Sequence, residues 1–397
     1  MPTDWTVVAA GIAWPLTLVL AWALGEVARR WLRIPRISTY AITGFVLSLP
    51  GVGLLRGAPD DQVLLLAHVA LGLVLFEAGY RINLRWFRAN PWIALTAALE
   101  AVLTFAAVGW VATAGGLAPL EARLTATLAM ATSPATIVRV VNELRSSGQV
   151  TERILHLSAL NCALAVLAFK VTVGLAPGGP DATVMDATRD VIWVLLGSIL
   201  LGVLMGALVP AVLAAVRRTG QDSTLAYALA VILLVALDRA LGLSPVVATL
   251  ALGVVSRNRR VFLSPSERGF GALGAMLAVL LFVFIAVVVE WHQLRAGFAL
   301  GSALVAARLL AKVAASSALA VLSGTSWRKG ALTGVAMAPM SAVVILVLEE
   351  THARGLALLD TLAPLAAASL LVELAGPILV GRALRAAHEV ERPEVAD

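Results

Sequence analysis

Two hydroxyl residues and a proline interrupt a long apolar run in the sequence. Thr132, Ser133 and Pro134 follow LTATLAMA and precede a stretch rich in β-branched residues. Proline removes a backbone donor and clashes with the preceding turn, so a helix is expected to break here. The freed backbone groups at membrane depth must be satisfied by protein or by a water-filled cavity. The two hydroxyls supply neutral oxygens, whereas hard cations prefer charged oxygen ligands.

A second set of polar residues lies in the next apolar run of the chain. Ser158, Asn161 and Cys162 are three and four residues apart, so a helix places them on one face. Cys162 is the only cysteine, which excludes an intrachain disulfide and a thiolate metal cluster. A broken helix beside such a polar face is how transporters build a binding site at the bilayer midplane.

The composition places these elements in a membrane. Hydrophobic residues make up 60% of the chain and charged residues 14%, whereas soluble domains carry about 25% charged residues. The sequence therefore predicts an all-α polytopic membrane protein in contact with lipid. The net charge of +6 is assigned to basic residues that flank the spans, and not to nucleic-acid binding. No nucleophile–base pair or metal-ligand set occurs in the spans, so neither enzymatic activity nor a cofactor is expected.

A helix needs about 20 apolar residues to cross a bilayer, which predicts thirteen spans. They lie near 5–27, 34–54, 61–80, 91–115, 121–143, 153–175, 190–216, 222–241, 243–257, 269–290, 296–323, 328–349 and 356–381. The run 225–256 also admits one long helix with a re-entrant piece as an alternative. Lys and Arg are concentrated in the odd-numbered loops and the C-terminal tail, which predicts an external N-terminus and a cytoplasmic C-terminus.

A weak internal repeat links two of these spans. LTATLAMATSPATIVRVV at 124–141 is similar to LTGVAMAPMSAVVILV at 332–347. Both read Ala-Met-Ala, then a proline, then small polar residues and a β-branched run. The two segments enter the membrane from opposite sides, so they predict inverted-topology repeats whose broken helices, at Pro134 and Pro339, cross near the midplane.

Charged residues inside the spans require a reason, because each costs about 2.5–3.5 kcal/mol on insertion scales. Glu77 either pairs with Arg81 at i+4 or faces the interior as an ion or proton ligand. Lys170 either extends towards the interface or reaches a carboxylate. Asp238 and Arg239 are expected to form an interfacial pair near a span end.

Two further bases share one face of a single span. Arg308 and Lys312 are four residues apart, and they require anions, water or substrate nearby. Glu100 and Glu373 lie in counterpart spans of the two repeats. Each carboxylate is expected to pair with a buried base in a structural role.

Five motifs together resemble the monovalent cation:proton antiporters over essentially the whole chain. The similarity is carried by RIPRISTYAITGFVLSLPGVGLL (33–55), LFEAGYRINLR (75–85), ATSPATIVRVV (131–141), LSALNCALAVL (157–167) and ELAGPILVGRALR (373–385). The third motif matches the family's broken helix, and the fourth matches its cation-binding helix.

The resemblance implies a single unit of thirteen helices in a homodimer in the inner membrane. A core, at about 91–175 and 296–381, would move against a dimerisation domain at about 5–80 and 190–290. Na⁺ or K⁺ would be exchanged for protons. Carried over by position, the site residues would be Thr132 and Ser133, Ser158, Asn161 and Cys162, an additional ligand Glu77, and a basic partner, Arg308 or Lys312.

Two positions depart from the family pattern. Ser133 and Cys162 stand where the family usually has aspartates, and proton coupling in the family depends on such carboxylates. Glu77 is then expected to be the remaining titratable ligand. Two alternatives stay open: a transporter of the same fold that carries an anion or neutral solute, and an uncoupled, channel-like protein.

Overall fold

The chain folds into helices because lipid offers no hydrogen-bond partner to a free backbone, which leaves helices and closed barrels as spanning structures. The computed structural model describes residues 5–32, 34–49, 55, 61–174, 184–215, 221–259, 263–289, 291–346 and 362–390. Within these ranges the regular elements are α-helices, and the β-pairing is one isolated bridge between Thr132 and Met340. The expected all-α membrane fold is confirmed.

The described helices have the following bounds in chain order. They are α1 (Trp5–Leu32), α2 (Arg36–Ser48), α3 (Asp61–Arg81), α4 (Leu84–Ala89), α5 (Trp92–Ala114), α6 (Pro119–Ala129), α7 (Pro134–Leu144), α8 (Gln149–Gly174), α9 (Val184–Ala215), α10 (Gln221–Ala240), α11 (Pro245–Asn258), α12 (Pro265–Arg268), α13 (Gly271–Val288), α14 (Trp291–Ala318), α15 (Trp327–Ala336), α16 (342–346) and α17 (Ala363–Ala386).

Each of the thirteen predicted spans contains one described helix or the two halves of a broken one. Nine helices in the described part of the chain are long and apolar enough to cross a membrane. The count of thirteen crossings therefore stays a prediction. The alternative of one helix over 225–256 is wrong, because α10 and α11 are separate helices on either side of a turn in which Gly242 has a φ of 68°.

Both predicted helix breaks are present. The first separates α6 from α7, and Pro134 is the first residue of α7, where its missing N–H costs no hydrogen bond. The second separates α15 from α16 and contains Pro339. α14 packs against α5, α15 and α17 and lies beside both breaks.

Glycine permits a close helix contact elsewhere in the bundle. α3 packs tightly against α11, and a Cβ at Gly253 would lie 2.3 Å from the carbonyl oxygen of Phe76. A Cβ at Gly79 would lie 2.3 Å from the carbonyl oxygen of Leu250. Such small residues let backbones approach where lipid provides no hydrophobic driving force between helices.

We expect Gly253→Ala to lower the free energy of unfolding in detergent by about 1–3 kcal/mol, because the added methyl overpacks the α3–α11 contact. Gly11→Ala is the matched control, since a Cβ at Gly11 meets no atom within 4 Å. Reaction of a thiol dye with Cys162, the single and fully buried cysteine, reports unfolding during heating. Equal stability of the two variants would contradict the tight contact.

Candidate functional site

The two broken helices touch each other at their breaks. Thr132 and Met340 form an antiparallel bridge, and the backbone N–H of Ser133 donates to the carbonyl of Pro339 at 3.0 Å. These residues are buried. We call residues 129–134 and 338–341 the crossing. The meeting of the two predicted breaks satisfies backbone groups that neither helix can satisfy alone.

The guanidinium of Arg308 joins the carbonyl ends of α6 and α15. Its Nε donates to the carbonyl of Ala129 at 2.7 Å, and its Nη2 donates to those of Ala131 at 2.8 Å and Pro339 at 3.2 Å. Its Nη1 donates to the carbonyl of Ala338. Helix C-termini carry partial negative charge, so a cation here compensates two helix ends at once.

Serine hydroxyls lie at the start of the second half of each broken helix. Ser133 Oγ accepts from the backbone N–H of Thr136 at 3.2 Å and caps α7. Ser341 Oγ accepts from the N–H of Val343 at 3.3 Å and lies 3.5 Å from Cys162 Sγ. Serine is as good a helix cap as aspartate, so Ser133 keeps the cap without the charge.

A buried ion pair lies directly beside the crossing. Lys312 Nζ on α14 donates to Glu100 Oε1 on α5, and both side chains are fully buried. The same Nζ lies 2.9 Å from Thr132 Oγ1 and 3.4 Å from the carbonyl oxygen of Met130. The ammonium is therefore surrounded by three oxygens, which is also the ligand type that a dehydrated alkali cation requires.

Further hydrogen bonds complete the surroundings of Glu100. Asn161 Nδ2 on α8 donates to Oε2, and Thr104 Oγ1 donates to Oε1 at 3.1 Å. A buried ion pair is tolerated only when such bonds satisfy its remaining lone pairs. The expectation that Glu100 pairs with a buried base agrees with this geometry. Its contact with Asn161 and Lys312 also brings it into the site, which the sequence reasoning missed.

The remaining residues of the predicted cation-binding face differ in their contacts. Ser158 Oγ donates to the carbonyl of Leu155 at 3.1 Å, so its hydroxyl is engaged within α8. Asn161 and Cys162 both contact groups at or beside the crossing. The Oδ1 of Asn161 is buried and has no hydrogen-bond partner in the described part of the chain, so it is free to accept a ligand.

The structure does not bring Glu77 to the crossing. Its Oε1 accepts from Arg81 at 3.2 Å and from Asn142 Nδ2 at 2.9 Å. Asn142 is nine residues along α7 from Ser133, which corresponds to about 13 Å of helix. The expectation that Glu77 is the titratable ligand of the hydroxyl cluster is corrected, and the alternative i+4 pair with Arg81 is what the geometry shows.

Two other expected pairings differ from the structure. Asp238 is fully buried, and neither of its carboxylate oxygens has a partner among the described residues. Arg239 is exposed and its Nη1 lies 3.5 Å from His68 Nδ1, so the interfacial Asp238–Arg239 pair is wrong. Glu373 is buried, and no basic partner of Glu373 occurs in the described ranges.

A cavity of about 180 Å³ leads from one end of the bundle towards the crossing. Its lining includes Lys170, which has no described carboxylate partner, together with His68 and Arg239. Leu128 and Ala131 also line it. The cavity thus reaches the first helix break, and Lys312, Glu100 and Thr132 are not among its lining residues.

These features define a helical membrane protein with two crossing broken helices and a charged site between them. The transmembrane model of the sodium/hydrogen exchanger family matches residues 16–385, and the chain belongs to this family. It is a membrane transporter of the cation:proton exchange type and not an enzyme.

Solved structures show the same fold. One structure of the sodium proton antiporter MjNhaP1 from Methanocaldococcus jannaschii, at pH 8, has a TM-score of 0.76 and 17% identity, covering 96% of this chain and 98% of that chain. A second MjNhaP1 structure, from electron microscopy, has a TM-score of 0.74 and 16% identity, covering 99% and 100%. Comparison with curated protein sequences gives no match.

We expect Glu100→Gln and Lys312→Met each to lower stability by about 3–5 kcal/mol, because each leaves a buried charge without its partner. The double variant should recover most of that loss, since no unpaired charge remains. Thermal unfolding followed by Cys162 labelling measures all four proteins. Additive losses in the double variant would mean that the two side chains do not depend on each other.

Proposed function

We propose that the chain exchanges a monovalent alkali cation, Na⁺ or K⁺, for protons at the Lys312–Glu100 site. The observation that carries the proposal is the position of Lys312 Nζ among Glu100 Oε1, Thr132 Oγ1 and the carbonyl oxygen of Met130. One positive charge fits between these oxygens. The ammonium supplies it in the described state, and an alkali cation supplies it in the exchanged state.

Competition for Glu100 couples the two ions. The Lys312 ammonium is buried and is compensated by the Glu100 carboxylate. A cation that binds Glu100 removes this compensation, so the lysine loses its proton and swings away as a neutral amine. Protonation of the amine restores the ion pair and expels the cation. The charge of the site is the same in both states, which makes this step an exchange of one proton for one cation.

Glu77 has no part in this proposal, since its Oε1 accepts from Arg81 and Asn142 and no contact with the crossing is present among the described residues. The neutral oxygens at the crossing would complete the coordination of the cation, above all the unpartnered Oδ1 of Asn161. Arg308 would hold the crossing together while Lys312 moves, because its donors bind carbonyls of both breaks.

Alternating access would come from movement of the core against the rest of the bundle. We place the core at about 91–175 and 296–381 and the dimerisation domain at about 5–80 and 190–290. The cavity supports this division, because its walls come from α6, α8 and α16 on one side and from α3 and α11 on the other. We further propose a homodimer in the inner membrane, with an external N-terminus and a cytoplasmic C-terminus.

Proteoliposomes loaded with a pH-sensitive dye test the exchange. Addition of Na⁺ or K⁺ should move protons in the wild type, and the cation that works at the lower concentration identifies the substrate. Lys312→Met and Glu100→Gln should each lower the rate at least about tenfold, which corresponds to about 1.4 kcal/mol of barrier. Lys329→Met and Glu26→Gln, which alter partly exposed residues, are the controls. Wild-type rates in Lys312→Met would refute the proposed site.

A second candidate function is favoured by the cavity itself. The charged and titratable residues that line the cavity are all basic: Lys170, Arg239 and His68. No carboxylate among the described residues lines it. Basic walls raise the local concentration of anions. The chain would then carry an anion, with the cavity as its entry.

If the chain transports an anion, the flux into the same vesicles should depend on the anion and not on the alkali cation. Uptake should vary with the anion, from chloride to acetate or benzoate, and should be indifferent to Na⁺ and K⁺. Lys170→Gln should lower it several-fold. Cation-driven proton movement that is the same in every anion would exclude this function in favour of cation exchange.

A further inference from the structure

Asn142, near the end of α7, forms two hydrogen bonds with α3. Its Nδ2 donates to Glu77 Oε1 at 2.9 Å, and its Oδ1 accepts from Arg81 Nη2. Asn142 is exposed, whereas Glu77 is 1% exposed. The two bonds therefore lie where the exposed surface at one end of the bundle meets its interior. We call them the α3–α7 lock.

Two further contacts of α7 reach neighbours of α3. Arg139 Nη2 donates to the carbonyl of Gly274 on α13 at 2.9 Å, and Glu143 Oε1 lies 3.2 Å from Arg29 Nε on α1. The helices α1, α3 and α13 belong to the proposed dimerisation domain, whereas α7 belongs to the proposed core. The last two turns of α7 are thus bonded to the dimerisation domain at three positions.

The cavity lies towards the other end of the same helices. On α3 its lining runs from His68 to Leu75, and Arg81 of the lock is six residues beyond Leu75, about 9 Å along the helix. On α8 the lining residues 165–170 are near the end of the helix, whereas its start follows closely after α7. In the described state, core and dimerisation domain are therefore separated by a cavity at one end and bonded to each other at the opposite end.

The lock can break without leaving an isolated charge inside the bundle. Glu77 Oε1 also accepts from Arg81 at 3.2 Å, and both residues are on α3. When α7 moves, only the bonds of the neutral Asn142 are lost, and the ion pair on α3 stays intact. Removing one partner of a buried ion pair is strongly destabilising, and this arrangement avoids that cost.

The helix α7 connects the lock with the exchange site. It has eleven residues and is about 16 Å long. Ser133 at its start donates to the carbonyl of Pro339, and the neighbouring Thr132 contacts Lys312 Nζ. Movement of the last turns of α7 away from α3 therefore opens a path that leads from the end of the bundle to the crossing.

We propose that the α3–α7 lock is the gate that closes the ion pathway at the end of the bundle opposite the cavity. The inference rests on the proposed exchange at Lys312, because it concerns the route by which ions reach that site. While the lock is formed, ions enter and leave at the cavity end. When it breaks, the pathway opens at the lock end. Asn142 is the gating residue, since it supplies the bonds of the lock that cross from one helix to the other.

The reaction of Cys162 with a membrane-impermeant thiol reagent measures the opening of each end. Cys162 is the only cysteine and is fully buried beside the crossing, so it reacts when a pathway reaches it. We expect Asn142→Ala to raise the reaction rate from the lock end about tenfold, as for the loss of hydrogen bonds to ionised groups. The rate from the cavity end should stay unchanged.

Right-side-out and inside-out membrane vesicles present the two ends of the protein to the reagent. Fast labelling of Asn258→Cys, at an exposed position whose native Nδ2 donates to the carbonyl of Ile82 directly after α3, shows which vesicles present the lock end. Asn258→Ala is the matched control. Its hydrogen bonds, to Ile82 and from the N–H of Leu84, join elements of the dimerisation domain to each other, so both rates should stay unchanged.

The contact between α1 and α7 supplies a second variant in case Asn142→Ala does not fold. Arg29→Glu places two like charges together and should raise the rate from the lock end a few-fold, because the pair is partly exposed. Adding Glu143→Arg restores an ion pair of reversed polarity and should return the rate to that of the wild type.

Three results in folded Asn142→Ala would overturn the gate: an unchanged rate from the lock end, an equal rise from both ends, or the same rise in Asn258→Ala. Without that variant, an unchanged rate in Arg29→Glu would overturn it. Labelling does not need transport. Failure of the gate would therefore leave the exchange at Lys312 standing, whereas labelling as expected without any exchange in proteoliposomes would refute the exchange alone.

Discussion

The hydrogen bonds of Arg308 are the interaction on which the rest of the site depends. Two helices stop in the middle of the bundle, and each stop leaves carbonyl groups that lipid cannot satisfy. One guanidinium binds Ala129 and Ala131 from the first break and Pro339 from the second. Arginine suits this position because its planar group offers five donors and stays charged. The breaks can therefore persist inside the bundle and expose the oxygens around Lys312.

The acidic groups near the crossing lie outside the two broken helices. Ser133 and Cys162 are neutral where the family usually has aspartates, and Ser133 still caps α7. Buried carboxylates lie on two other helices, Glu100 on α5 and Glu373 on α17. Asn161, which neighbours Cys162, links α8 to Glu100 through its hydrogen bond. In the proposed exchange the ions bind at the crossing, and the charge that compensates them comes from a different helix.

Local chemistry allowed the sequence to predict the broken helices, because proline acts on its own backbone and the Ala-Met-Ala repeat marks both breaks. The pairing of charges was harder to predict. Glu100 and Lys312 are 212 residues apart, and only the packing of α5 on α14 brings them together.

Glu77 is the opposite case, because its partner Arg81 is only one helical turn away. The choice between that pair and an inward position of Glu77 depends on Asn142 of α7. Asp238 was expected near the surface because it ends a span, yet the packing of its neighbours buries it.

Cation density at the position of Lys312 Nζ is the most direct measure of the exchange site. A cryo-EM structure at high pH with saturating Na⁺ or K⁺ should show a cation between Glu100 Oε1, Thr132 Oγ1 and the carbonyl of Met130. The lysine side chain should then be turned away from Glu100. A lysine that stays bonded to Glu100 under these conditions, with the cation bound in another place, would contradict competition for one site.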